Sequence, residues 1–164
     1  MNHKKIELVV LLALINLTAA AQRATPDAIE TSNGPLVIQP ILHGTVALTW
    51  NGKTIYVDPY GGAKAFEGIA PPDLILITDI HGDHHNPETL AAISTTNATI
   101  IAPQAVADKL PDDLKGKTTV LGNGSSIEKL GIYVSAIPMY NLPEAPDSRH
   151  TKGRWKKEGK KFLL

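Results

Sequence analysis

Cysteine is absent from this 164-residue chain. That excludes disulfides, thiolate metal ligands and a lipid-modified N-terminal cysteine together. Net charge is also lacking: sixteen Lys and Arg balance sixteen Asp and Glu. Nothing in that balance points to nucleic acid or an anionic surface. No Gly-x-Ser-x-Gly elbow and no phosphate-binding glycine loop occurs, so serine-hydrolase and nucleotide chemistry are not indicated. The one long apolar run, residues 8–21, is too short to span a bilayer. It follows a basic start (Lys4, Lys5) and ends in Ala19, Ala20 and Ala21, the pattern of a secretory signal peptide cut near Ala21. The expectation is therefore a secreted or periplasmic protein without a stable membrane span after cleavage.

What is present is concentrated in residues 74–85, where an apolar run ends in a burst of acids and imidazoles. Leu74, Ile75, Leu76 and Ile77 read as a strand buried on both faces. Asp79, His81, Asp83, His84 and His85 follow. Asn86, Pro87 and Glu88 read as the cap and first turn of a helix. The cluster thus lies between a strand end and a helix start, where open α/β sheets place their ligands. Asp79 and His81 are two apart, so they point to one side of an extended segment. Asp83 and His84 come after Gly82, which allows a tight turn. Two such pairs suit two metal ions roughly 3.5–4 Å apart. Imidazole and carboxylate without thiolate favour zinc, with iron or manganese also suitable. The plain alternative is a polar loop whose groups only hydrogen-bond one another.

Around this stretch, residues 22–35 read as a flexible lead-in. Asn51-Gly52 marks a two-residue hairpin turn. Its register puts Trp50 opposite Lys53, Leu48 opposite Ile55 and Val46 opposite Val57, and brings His43 near Tyr60 and Asp58. Residues 60–70 read as a loop. Residues 87–94 read as a helix, 98–102 as a strand, 103–110 as a helix and 111–117 as a polar connector. Strand, helix, strand implies a right-handed parallel crossover. Strands are then expected at 118–121, 125–130 and 132–139. The fold class is α/β.

Asp79-Ile80-His81-Gly82-Asp83-His84 resembles the His-x-His-x-Asp-His signature of the metallo-β-lactamase superfamily, with Asp79 in place of the first His. The resemblance is to the branch related to ascorbate-phosphate lactonase. It implies that Asp79 and His81 hold one metal and Asp83 and His84 a second, with Asp83 also orienting the nucleophile. It implies a hydrolase that uses metal-activated water on an ester, lactone, amide or phosphoester of a small molecule. It places His43 and Asp58 near the metal mouth, Asp58 as a support for a ligand. His85 is expected outside the ligand set, supporting it or facing solvent. Asn141 stands where relatives often place a third ligand. His150-Thr151-Lys152-Gly153 is similar to a segment that reaches the metals or the substrate.

The resemblance covers residues 36–153 and ends before the off-pattern basic tail at 154–164. The family's later Gly-Asp, whose Asp bridges the metals, and its last His have no counterpart here. The expectation is thus the N-terminal half of a four-layer αββα sandwich, in a shortened chain. Such a half would expose one sheet face, which a second copy of the chain would cover. The competing expectation is a catalytically impaired remnant that binds metal weakly.

Overall fold

The computed structural model describes residues 23–140. The signal-like segment, Asn141, His150 and the basic tail lie outside the described residues. Seven strands form one sheet in sequence order: β1 (Asp27–Ile29), β2 (Leu36–Pro40), β3 (Val46–Trp50), β4 (Lys53–Val57), β5 (Leu74–Leu76), β6 (Thr99–Ala102) and β7 (Thr118–Val120). The first four are antiparallel neighbours, and β4 to β7 pair in parallel. Three helices intervene: α1 (Pro87–Ala92), α2 (Gln104–Lys109) and α3 (Asp112–Lys115). A separate hairpin, β8 (Ser126–Lys129) with β9 (Ile132–Ser135), forms a second small sheet.

The alternation of side chains along the strands builds two cores. Ala47, Tyr56, Ile75, Ile77, Ile100 and Ala102 face Leu90 and Ile93 of the α1 region, Val106 and Leu110 of the α2 region, and Leu114 of α3. Leu48, Ile55, Leu74, Leu76 and Ile101 face the other way, against Leu121, Ile127, Ile132, Val134 and Ala136. The result is helices, sheet, sheet, an α/β arrangement. β5 is covered on both sides, with Leu74, Ile75 and Ile77 inaccessible to solvent. The parallel crossovers and the Trp50–Lys53, Leu48–Ile55 and Val46–Val57 register stand as the sequence led us to expect.

Three expectations need correction. The lead-in contains an ordered edge strand: β1 pairs with β2. Its side chains are exposed, so no apolar pattern announces it. The polar connector holds α3, anchored by the single buried Leu114. The sheet face expected to be bare is partly covered, because the β8–β9 hairpin folds back onto it. The loop at 60–70 also contains a 3-10 turn, Ala63–Phe66, whose Phe66 ring stacks on Tyr56 at 4.4 Å.

Candidate metal centre

Backbone pairing of the central strands ends in step at the future site. The Ile77 amide still donates to the Ile101 carbonyl. One residue later the ladder to β4 is continued by a side chain: the Thr78 amide donates to Asp58 Oδ1 at 2.7 Å. The Thr78 hydroxyl donates to Asp58 Oδ2 at 2.6 Å. Asp58 is buried and has a φ of 46°. That left-handed conformation costs a non-glycine residue roughly 1–2 kcal/mol. It turns the carboxylate off the end of β4 and towards the loop after β5. The Thr45 hydroxyl fixes it from behind by donating to the Asp58 carbonyl at 2.6 Å.

The same carboxylate holds a histidine. His84 Nδ1 lies 2.8 Å from Asp58 Oδ2. Orientation of one imidazole nitrogen by a carboxylate leaves the other nitrogen free to ligate. His84 Nε2 is 3.8 Å from Asp83 Oδ2. Burial alone would lower the His84 pKa. The hydrogen bond and charge of Asp58, with the charges of Asp83 and Asp79, outweigh it and raise the pKa.

The loop is folded tightly about Gly82, with the His84 and His85 amides both donating to the His81 carbonyl at 2.9 and 2.7 Å. Asn86 then accepts from the Thr89 amide and starts α1, with Pro87 at its first position. Thr89 in turn accepts from the Gly62 amide at 2.9 Å, tying the loop after β4 to this helix.

Asp79 and His81 lie together as their spacing implied: His81 Nδ1 is 2.8 Å from Asp79 Oδ2. Asp79 is buried while His81 is half-exposed. Asp79 Oδ1 accepts from the Ile80 amide at 2.6 Å. Asp79 Oδ2 makes no hydrogen bond, although His81 Nδ1 lies 2.8 Å from it. A buried carboxylate oxygen without a donor is costly unless a cation satisfies it. The donor set of two carboxylates and two imidazoles therefore suits a divalent metal. It is offered as two pairs: among the described residues, no three His, Asp or Glu side chains converge on one point.

His85 is not solvent-facing. It is buried, its Nε2 makes no hydrogen bond, and burial, followed by the charge of Lys109, pulls its pKa down. His43 is exposed and lies edge-on to Tyr60, with ring centroids 5.2 Å apart. One contributor carries no signal in the sequence: Thr78, whose amide and hydroxyl both donate to Asp58. The β2–β3 loop also passes the His84 ring: an added Cβ at Gly44 would stand 3.9 Å from His84 Cε1, in ordinary contact, so the approach does not require a glycine.

Residues 38–164 match the family model of the beta-lactamase superfamily domain. The chain belongs to the metallo-β-lactamase superfamily. A UPF0173 metal-dependent hydrolase of Pyrococcus abyssi is 31% identical over 107 residues, which are 62% of this chain and 46% of that protein. Among solved structures, a Parabacteroides distasonis protein assigned as a metal-dependent hydrolase superposes with a TM-score of 0.61 and 31% identity. That superposition covers 73% of this chain and 53% of the other. The diiron β-hydroxylase CmlA of Streptomyces venezuelae shares the fold at a TM-score of 0.53 and 21% identity, over 71% of this chain and 26% of its own. The superfamily chain described here thus spans about half the length of the first two, 46% and 53%.

Proposed function

We propose that the chain carries the metal loop of a secreted metal-dependent hydrolase acting on an ester, lactone, amide or phosphoester of a small molecule. Asp79, His81, Asp83 and His84 would hold up to two divalent ions, zinc first, with iron or manganese as fitting alternatives. The observation that carries the reading is the buried Asp79 Oδ2, without a hydrogen bond, beside His81 at the carboxyl end of β5. When bound, the ions supply Lewis acidity and a water whose pKa is lowered towards about 7. The protein's part is positional. Asp58 and Thr78 fix the His84 ring, and Asp83, half-exposed beside it, would orient the attacking water.

A second reading, a weakly metal-binding and catalytically impaired chain, is favoured by the absence of a third converging ligand among the described residues. Metal analysis after dialysis separates the two, followed by an esterase and phosphodiesterase screen with a chelator control. About two retained ions and chelator-sensitive turnover support the hydrolase. At most one loosely held ion and no turnover support the impaired chain.

The proposal places the mature protein outside the cytoplasm, with residues 1–21 removed. A mature N-terminus at Gln22 in a periplasmic extract supports this, and an intact Met1 in the cytosol contradicts it. Among the described residues no helix is long and apolar enough to cross a membrane. Tyr133, Ile137 and Met139 remain exposed beside the hairpin, and a homodimer would cover them. Light scattering of the purified chain tests that assembly.

A further inference from the structure

The β2–β3 connection is strained at one residue, and it is not a glycine. The Thr45 amide donates to the Leu42 carbonyl at 2.9 Å, closing a four-residue turn with His43 and Gly44 at its centre. His43 has a φ of 54°, while Gly44 is not among the positive-φ glycines. A turn with positive φ only at its first central position is one that normally takes glycine there. Here the imidazole occupies the unfavourable position and the glycine stands beside it. Strain retained at one position is a pointer to function when the surrounding contacts give the side chain something to do.

The surroundings do so. His43 is exposed, and its ring nitrogens make no hydrogen bond to any described residue. Its ring makes a T-shaped contact with Tyr60, whose hydroxyl also has no protein partner among the described residues. Both residues are tethered to the candidate metal centre. Gly44, next to His43, packs towards His84 Cε1. Asp58, two residues before Tyr60, holds His84 Nδ1. A hydroxyl and an imidazole, both able to donate, therefore stand together on two segments that each approach His84, a candidate metal ligand, one through Gly44 and the other through Asp58.

We infer that His43, with Tyr60, receives an oxygen anion of the substrate, a carboxylate or phosphate oxygen, on the rim beside His84. The inference rests on the metal-centre reading above and adds the substrate class: a small molecule bearing an anionic oxygen group apart from its scissile bond. Hydrogen bonds to such an anion are charge-assisted and strong.

The test uses the metal-loaded full chain with inorganic phosphate and acetate as probes. Affinity is read by calorimetry, and the His43 ring nitrogens are followed by NMR. Metal content is measured on the same samples. H43G keeps the turn and removes its strain. It is expected to raise Tm by about 2–4 °C, to leave metal content unchanged and to weaken phosphate or acetate binding about tenfold. Y60F should weaken the same probe without changing metal content. A shift of the His43 ring signal by one probe alone assigns the anion class. Probe affinity unchanged in H43G overturns the inference, as does a loaded wild-type chain that binds neither probe. Loss of metal in H43G also overturns it, because His43 would then belong to the metal site itself. A wild-type chain that takes up no metal fails at the earlier step and removes the inference with it.

Discussion

At the scale of single residues, the site depends on what Asp58 and Asp79 lack and supply. Asp58 satisfies the Thr78 amide, the Thr78 hydroxyl and His84 Nδ1 from one buried carboxylate. Asp58→Asn replaces one acceptor oxygen by a donor group. Metal affinity should fall about 10–100-fold, and stability by about 1–3 kcal/mol. Competition with a chromophoric chelator and thermal melts of the metal-free chain read the two effects separately. Asp79 differs, because its Oδ2 has no hydrogen bond to lose and an asparagine can still accept from the Ile80 amide through its oxygen. D79N should therefore reduce bound metal by about one ion per chain without lowering the Tm of the metal-free protein. A drop in that Tm would show that Asp79 is a structural group instead.

At the scale of elements, β4 and β5 are pinned at both ends by aspartates. At the far end from the metal loop, Asp73 accepts from the Thr54 amide at 2.9 Å and from Lys53 Nζ at 3.2 Å. The backbone hydrogen bond from Thr54, opposed by some burial and helped by Lys53, holds the Asp73 pKa below its ordinary 3.8. A carboxylate whose pKa is depressed by folding adds stability above its unfolded pKa and loses it as pH falls through the folded value. D73N should thus melt lower than wild type at neutral pH and converge with it as the pH drops below 3.8. Parallel Tm profiles down to acid pH would contradict this. The elements legible in advance were those with strong local signals. Asn51-Gly52 set the hairpin register, and the run before Asp79 marked a doubly covered strand. β1 and α3 were not legible, since one is wholly exposed and the other buries only Leu114. Their formation is set by pairing and packing at a distance.

At the scale of the molecule, the second face of the main sheet is partly covered by a hairpin whose own outer side is exposed among the described residues. Ile127, Ile132 and Val134 face the main sheet, whereas Tyr133 is exposed. Val134→Asp places a charge in that interface. It should raise hydrogen exchange across β8 and β9 and at Leu121 while leaving β5 and β6 protected, since those strands have a separate helix-side core. Uniform loss of protection would show that the two cores melt as one. The candidate site was also legible unevenly. The Asp79–His81 and Asp83–His84 pairs follow from spacing along one loop. Asp58 was placed by turn register. The passage of the β2–β3 loop beside His84 depends on how distant segments pack, which no local pattern reports.

The attachment of His84 to Asp58 has a mechanical consequence. Asp79 and His81 hang from the end of β5, but the His84 ring is clamped to the end of β4. The gap between the two candidate ligand pairs is therefore set by how far these neighbouring strands slide along each other. Substitutions that let them slip would change the spacing between the two candidate ligand pairs without touching a candidate ligand.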